Sequence, residues 1–161
     1  MSKHLLRPAA KPVPDLPESR SANPIRVVLV VPHTFMRRSL ALVLAHEPDL
    51  LLTSQVADID SAIAETVSGR PDVLVVDQQA LERDLADALA ALQAQLGAVP
   101  IVVLGTGEHA LSAGRVLAAG ATGYVVKDDA ADGLATAVRA AVRERSARAK
   151  LSIVGSVEAQ T

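Results

Sequence analysis

The apolar pattern predicts an α/β domain: a parallel sheet with helices packed on both faces. Two observations carry this expectation. Short runs rich in Val, Leu and Ile recur five times, at residues 25–31, 50–56, 73–76, 101–104 and 123–126. Such runs are expected of strands buried on both sides, where no alternate residue has to face water. Each run is followed by a segment whose apolar residues return at helical spacing, and five strand-helix alternations describe a parallel sheet sandwiched between helices. In such open sheets the ligand or active site lies at the carboxyl ends of the strands.

The elements follow in order. Residues 1–24 carry Pro8, Pro12, Pro14, Pro17 and Pro24 among small and charged residues. This mixture buries too little apolar surface to offset chain entropy, so a disordered arm is expected. The β-branched run 25–31, ended by Pro32, reads as a central first strand. Met36, Leu40, Val43 and Leu44 define a helix ending near His46, ahead of Pro48. After the second strand, Ile59, Ala62, Ile63 and Val67 define a helix capped by Asp58 or Asp60 and closed by Gly69. The third strand runs into Asp77, and Leu81, Leu85, Ala88, Leu89, Leu92 and Leu96 form one helical stripe after it. Pro100 introduces the fourth strand, Gly105-Thr106-Gly107 reads as a flexible loop, and a weak helix over 110–119 ends at Gly120. After the fifth strand, Leu134, Val138, Ala141 and Val142 mark the last helix. The folded unit is thus expected over 25–145, and 146–161, poor in large apolar groups, is expected to be a flexible tail.

Composition narrows the function classes. With 161 residues, half of them apolar, the chain suits one core. A net charge of -2 and a pI near 6.1 supply no overall field toward nucleic acid or anionic lipid. There is no cysteine, so disulfides and thiolate chemistry are excluded. The N-terminus lacks the apolar core of a secretory signal and no run approaches a membrane span, so a cytoplasmic location is expected. Phe35 and Tyr124 are the only aromatic residues, too few for a base-stacking platform.

At the strand ends stand Val31-Pro32, Asp77, Gly105-Thr106 and Lys127. Three segments, Arg26-Val27-Val28-Leu29-Val30, Arg70-Pro71-Asp72-Val73-Leu74-Val75-Val76-Asp77 and Ala118-Ala119-Gly120-Ala121-Thr122-Gly123-Tyr124-Val125-Val126-Lys127-Asp128, appear in register on the five units. Together they resemble the landmarks of the CheY-like receiver domains of response regulators, in the branch fused to LuxR/NarL-type DNA-binding domains. The resemblance implies a flavodoxin-like sheet in the order 2-1-3-4-5. It further implies a phosphoacceptor at Asp77, a site lysine at Lys127, switch positions at Gly105, Thr106 and Tyr124, and an acidic metal-binding pair at Val31 and Pro32.

The departures decide the functional expectation. Val31 and Pro32 offer no side-chain oxygen, and magnesium needs hard oxygen ligands in near-octahedral array. Gly105 stands where the family carries a switch hydroxyl, with Thr106 one step on. We expect no metal, no cofactor and no catalysis, with Asp77 and Lys127 kept as a structural ion pair. The expected function is that of an atypical receiver acting through a protein partner, or a second copy across the last strand and helix face. One alternative is a phosphorelay receiver in which a histidine kinase phosphorylates Asp77 with magnesium. Another is a small-molecule sensor using a strand-end pocket made more apolar by Val31 and Pro32. A receiver of this branch passes its signal to a C-terminal DNA-binding domain, and residues 150–161 are too short for one, so no direct nucleic-acid binding is expected.

The remaining features have bland readings. His4, His33, His46 and His109 are scattered and read as surface histidines. Ser39 and Ser112 lack a nucleophile context. Gly105-Thr106-Gly107 lacks the Lys-Ser/Thr of a phosphate-binding loop. Arg139, Arg143, Arg145, Arg148 and Lys150 read as the solvated, dipole-complementing end of a helix.

Overall fold

A computed structural model of the chain describes residues 22–81, 84–107 and 110–158. Most of the expected N-terminal arm lies outside them. Five strands, β1 (Ile25–Val30), β2 (Leu50–Val56), β3 (Val73–Asp77), β4 (Ile101–Gly105) and β5 (Gly123–Val126), form one sheet in the order β2-β1-β3-β4-β5. Every pairing is parallel. The helices are α1 (Thr34–Ala45), α2 (Ile59–Gly69), α3 (Leu85–Leu96), α4 (Ala110–Ala118) and α5 (Ala130–Glu158).

Two cores result from strand alternation. On one face Val27, Leu29, Val73, Val75, Val102, Leu104 and Val125 pack with Leu40 and Leu44 of α1 and with Leu134, Val138 and Ala141 of α5. On the other, Val28, Val30, Leu74, Val76, Ile101 and Val103 pack with Ala62 of α2, Leu89 and Leu92 of α3 and Val116 of α4. The expected sheet buried on both sides is therefore present. Its outer pairing contains a bulge, because the β1–β2 register shifts between Val27 and Val28. There the Thr53 hydroxyl donates to the Val27 carbonyl at 3.2 Å, giving that acceptor a partner.

Several boundaries differ from the sequence expectation. Gly105 belongs to β4 and pairs with Val126, so the loop begins one residue later than expected. The helical stripe after β3 does not include Leu81: a single 3-10 turn, Gln78–Ala80, intervenes, and α3 starts only after Asp84, whose side chain accepts from the Ala86 N–H. Leu81 is nonetheless buried, which explains its place in the apolar pattern. Helix α2 includes Gly69 and is closed by Arg70 at φ 45°, with the Arg70 N–H donating to the Thr66 carbonyl at 3.0 Å. Between the two candidate caps the structure selects Asp58, which accepts from the Ser61 N–H at 2.8 Å.

The largest difference is at the C-terminus, where a flexible tail was expected from residue 146 and α5 instead continues to Glu158. The reading of a tail rested on the lack of large apolar groups, but a helix can persist on backbone propensity. No proline follows Pro100, the first glycine after Gly133 is Gly155, and Ala, Arg and Lys dominate 147–150. Arg148 adds an ion pair to Glu144 at 2.7 Å, one turn back.

Candidate functional site

The carboxyl ends of β1, β3, β4 and β5 converge as the parallel sheet requires, and they bring together Asp77 and Lys127. Asp77 follows Val73 and Val75 along β3, so alternation turns it to the face covered by α1 and α5. Lys127 follows Val125 on the same face of β5. The Lys127 ammonium lies 2.9 Å from Asp77 Oδ1, with the side chains 13% and 1% exposed. The same oxygen accepts the Gln79 N–H at 2.9 Å, an Asx-type turn that the following 3-10 turn makes possible. Asp77 Oδ2 is buried and meets no hydrogen-bond partner among the described residues.

The next strand end has different chemistry. Val31 is fully buried in the core with Leu40 and Leu44, and Pro32 is exposed. Val31 therefore does not open as an apolar wall of a strand-end pocket. The carbonyls of Val31 and Pro32 accept from Arg37 Nη1 at 2.7 and 3.3 Å, which places a guanidinium beside the β1–α1 loop. Sequence reading did not identify Arg37, because nothing in its spacing announces a bond to loop carbonyls.

A magnesium ion here would need hard oxygen ligands in near-octahedral array. The position offers a single carboxylate, one of whose oxygens already serves Lys127 and Gln79, and the loop carbonyls beside it serve a cation. Among the described residues no group of three His, Asp or Glu side chains could hold a metal.

The switch positions divide between two places. Thr106 is exposed in the loop after β4. Tyr124 packs on the α2–α4 face with the second core, and its ring lies against Gly105, where an added Cβ would meet the hydroxyl oxygen at 2.0 Å. The Tyr124 hydroxyl, too, is buried without a partner among the described residues.

Of the histidines, His33 and His46 are exposed as expected, although both serve helix ends. His33 Nδ1 accepts the Met36 N–H at 3.3 Å, and His46 Nδ1 lies 2.7 Å from the Leu42 carbonyl. His4 and His109 lie outside the described residues. Arg139 is not part of a solvated helix end, as the basic stretch suggested. It holds Asp49 through Nε and Nη2, both at 2.7 Å, and also bonds Glu47, tying α5 to the segment between α1 and β2. These hydrogen bonds, above all those from Arg139, hold the Asp49 carboxyl below its ordinary range, and the paired carboxylates raise the Arg139 guanidinium. Among the described residues no helix is long and apolar enough to cross a membrane.

Comparison with known proteins agrees with this geometry. The response regulator receiver domain family matches residues 27–139. A protein-glutamate methylesterase/protein-glutamine glutaminase of Caldanaerobacter subterraneus subsp. tengcongensis is 34% identical over 107 residues, covering 64% of this chain and 28% of that protein. The transcriptional regulatory protein LiaR of Bacillus subtilis is 30% identical over 117 residues, covering 73% and 56%. The chain thus spans about half or less of the length of these relatives. Among solved structures, a LuxR-family two-component response regulator from Aurantimonas sp. SI85-9A1 superposes with a TM-score of 0.67 at 25% identity, covering 76% of this chain and 88% of that one. Sheet order and the family match converge: the chain belongs to the response regulator receiver domain family of two-component signalling.

Proposed function

We propose that this receiver domain acts through protein contacts, without phosphoryl transfer to Asp77 and without enzymatic activity of its own. Its partner is another protein or a second copy, meeting it across β5 and α5. The observation that carries this reading is the state of the Asp77 carboxylate: fully buried, bonded on one oxygen by Lys127 and Gln79, and with Val31 and Pro32 where further acidic ligands would stand. A carboxylate attacking a dianionic phosphoryl group needs that charge neutralised, and a divalent metal supplies most of the neutralisation. Lys127 is a single ammonium and is already paired.

The competing reading, a phosphorelay receiver served by a histidine kinase and magnesium, draws on one observation. Asp77 Oδ2 meets no partner among the described residues and is the oxygen that would attack. Titration with magnesium and beryllofluoride separates the two. The first reading expects no saturable binding, and acetyl phosphate with magnesium should add no phosphoryl mass to the chain. Saturable binding at micromolar metal, with a mass gain lost in Asp77→Asn, establishes the second. Under the first reading Asp77→Asn leaves partner binding unchanged.

A further inference from the structure

We infer that Gly105 holds the Tyr124 ring folded against β4 and thereby disconnects the α4–β5 surface from the Asp77 site. This deepens the phosphorylation-independent reading and rests on it for its biological meaning, although the geometry stands alone. Register places Tyr124 opposite Val103, and its side chain leans along the strand direction over Gly105, two residues on. A Cβ at Gly105 would meet the ring at the hydroxyl oxygen, Cζ and Cε2, at 2.0, 2.5 and 2.6 Å. The ring therefore occupies the volume that any other residue's side chain would claim.

Backbone conformation does not demand glycine there. The glycines with positive φ are Gly97, Gly107 and Gly120, and Gly105 is a regular strand residue. Space for the ring is the remaining physical reason for glycine at this last residue of β4, which still pairs with Val126. Among the described residues no hydrogen bond holds the ring. Shape sets its position. The ring belongs to the face packed by α2, α3 and α4, while Asp77 and Lys127 by alternation face α1 and α5. With no side chain, Gly105 itself projects nothing from the end of β4 that could carry a change at the carboxylate to the ring.

Tyr124 is the only tyrosine and the chain has no tryptophan, so intrinsic tyrosine fluorescence reports this ring alone. Acrylamide quenching of the full chain should be low in the wild type, unchanged in Asp77→Asn, and raised severalfold toward the free amino acid in Gly105→Ala and Gly105→Thr. Equal quenching in the wild type and Gly105→Ala overturns the inference, as does altered quenching in Asp77→Asn. If Gly105→Ala folds poorly, the melting temperature it loses should be regained when Tyr124→Leu is added. An equal loss in both backgrounds shows that the ring does not fill the space. Magnesium and beryllofluoride added to the wild type distinguish the two readings. Binding with unchanged quenching refutes phosphorylation independence and leaves the ring inference standing; binding with a quenching change refutes both.

Discussion

Two ion pairs tie distant parts of this molecule together, and their difference is instructive. At the carboxyl end of the sheet, Lys127 meets Asp77 at 2.9 Å, with the carboxylate side chain 1% exposed. Farther along α5, Arg139 makes a two-point contact with Asp49 and a third bond to Glu47, with Asp49 37% exposed. The second contact is richer in hydrogen bonds, yet the first carries more free energy if broken. Taking a carboxylate out of water is costly, and removing its partner leaves that cost uncompensated. An exposed carboxylate that loses its partner is simply rehydrated, so even a bidentate pair contributes little.

Three measurements would break or sharpen this contrast. Lys127→Met should lower unfolding free energy by about 3–5 kcal/mol in urea titrations, the range for stranding a buried charge. Adding Asp77→Asn should restore much of that loss, and a loss under 1 kcal/mol on its own, well below that range, would show that water reaches Asp77. Arg139→Ala should cost only about 0.5–1 kcal/mol, and half-molar salt should shrink the difference from wild type. The smallest effect is that pair's pH dependence. The folded-state pKa of Asp49 is depressed, chiefly by its hydrogen bonds to Arg139. The stability this gives is therefore fully present above the ordinary carboxylate pKa of about 3.9 and disappears as pH falls through the folded value. The gap between wild type and Arg139→Ala should be constant near neutral pH and close below about pH 4. A gap that widens on acidification would refute the assignment. Asp58, lowered by the Ser61 N–H and then by the Ser61 hydroxyl, contributes with the same sign and is the same in both proteins.

Much of this was legible in the chain because it is written locally. A doubly buried strand shows itself as an unbroken apolar run, and a helix that covers it shows a stripe at helical spacing. Asp77 and Lys127 could be placed because each follows directly on such a run, and parallel topology gathers strand ends at one edge. The misplacements have local causes too. Leu81 is apolar for the core rather than for a helix, so its stripe extended α3 too far. The stretch after Arg145 holds little apolar mass, yet helix continuation there rests on the Ala, Arg and Lys of 147–150 and on the Glu144–Arg148 pair.

What could not be read was every contact that depends on how elements meet. Arg139 and Asp49 are 90 positions apart, and their pairing depends on where α5 crosses the end of α1. Arg37 reaches the Val31 carbonyl only because α1 turns back over its own strand. Gly105 looked like loop because glycine usually marks one; sheet register made it the floor beneath Tyr124. Periodicity and chain order thus sufficed for the fold and for placing Asp77 and Lys127 at neighbouring strand ends, since burial imposes its pattern residue by residue. The ring over Gly105, the cation on the β1–α1 loop and the clamp at Asp49 required three dimensions, because register and crossing geometry leave no periodic trace in a sequence.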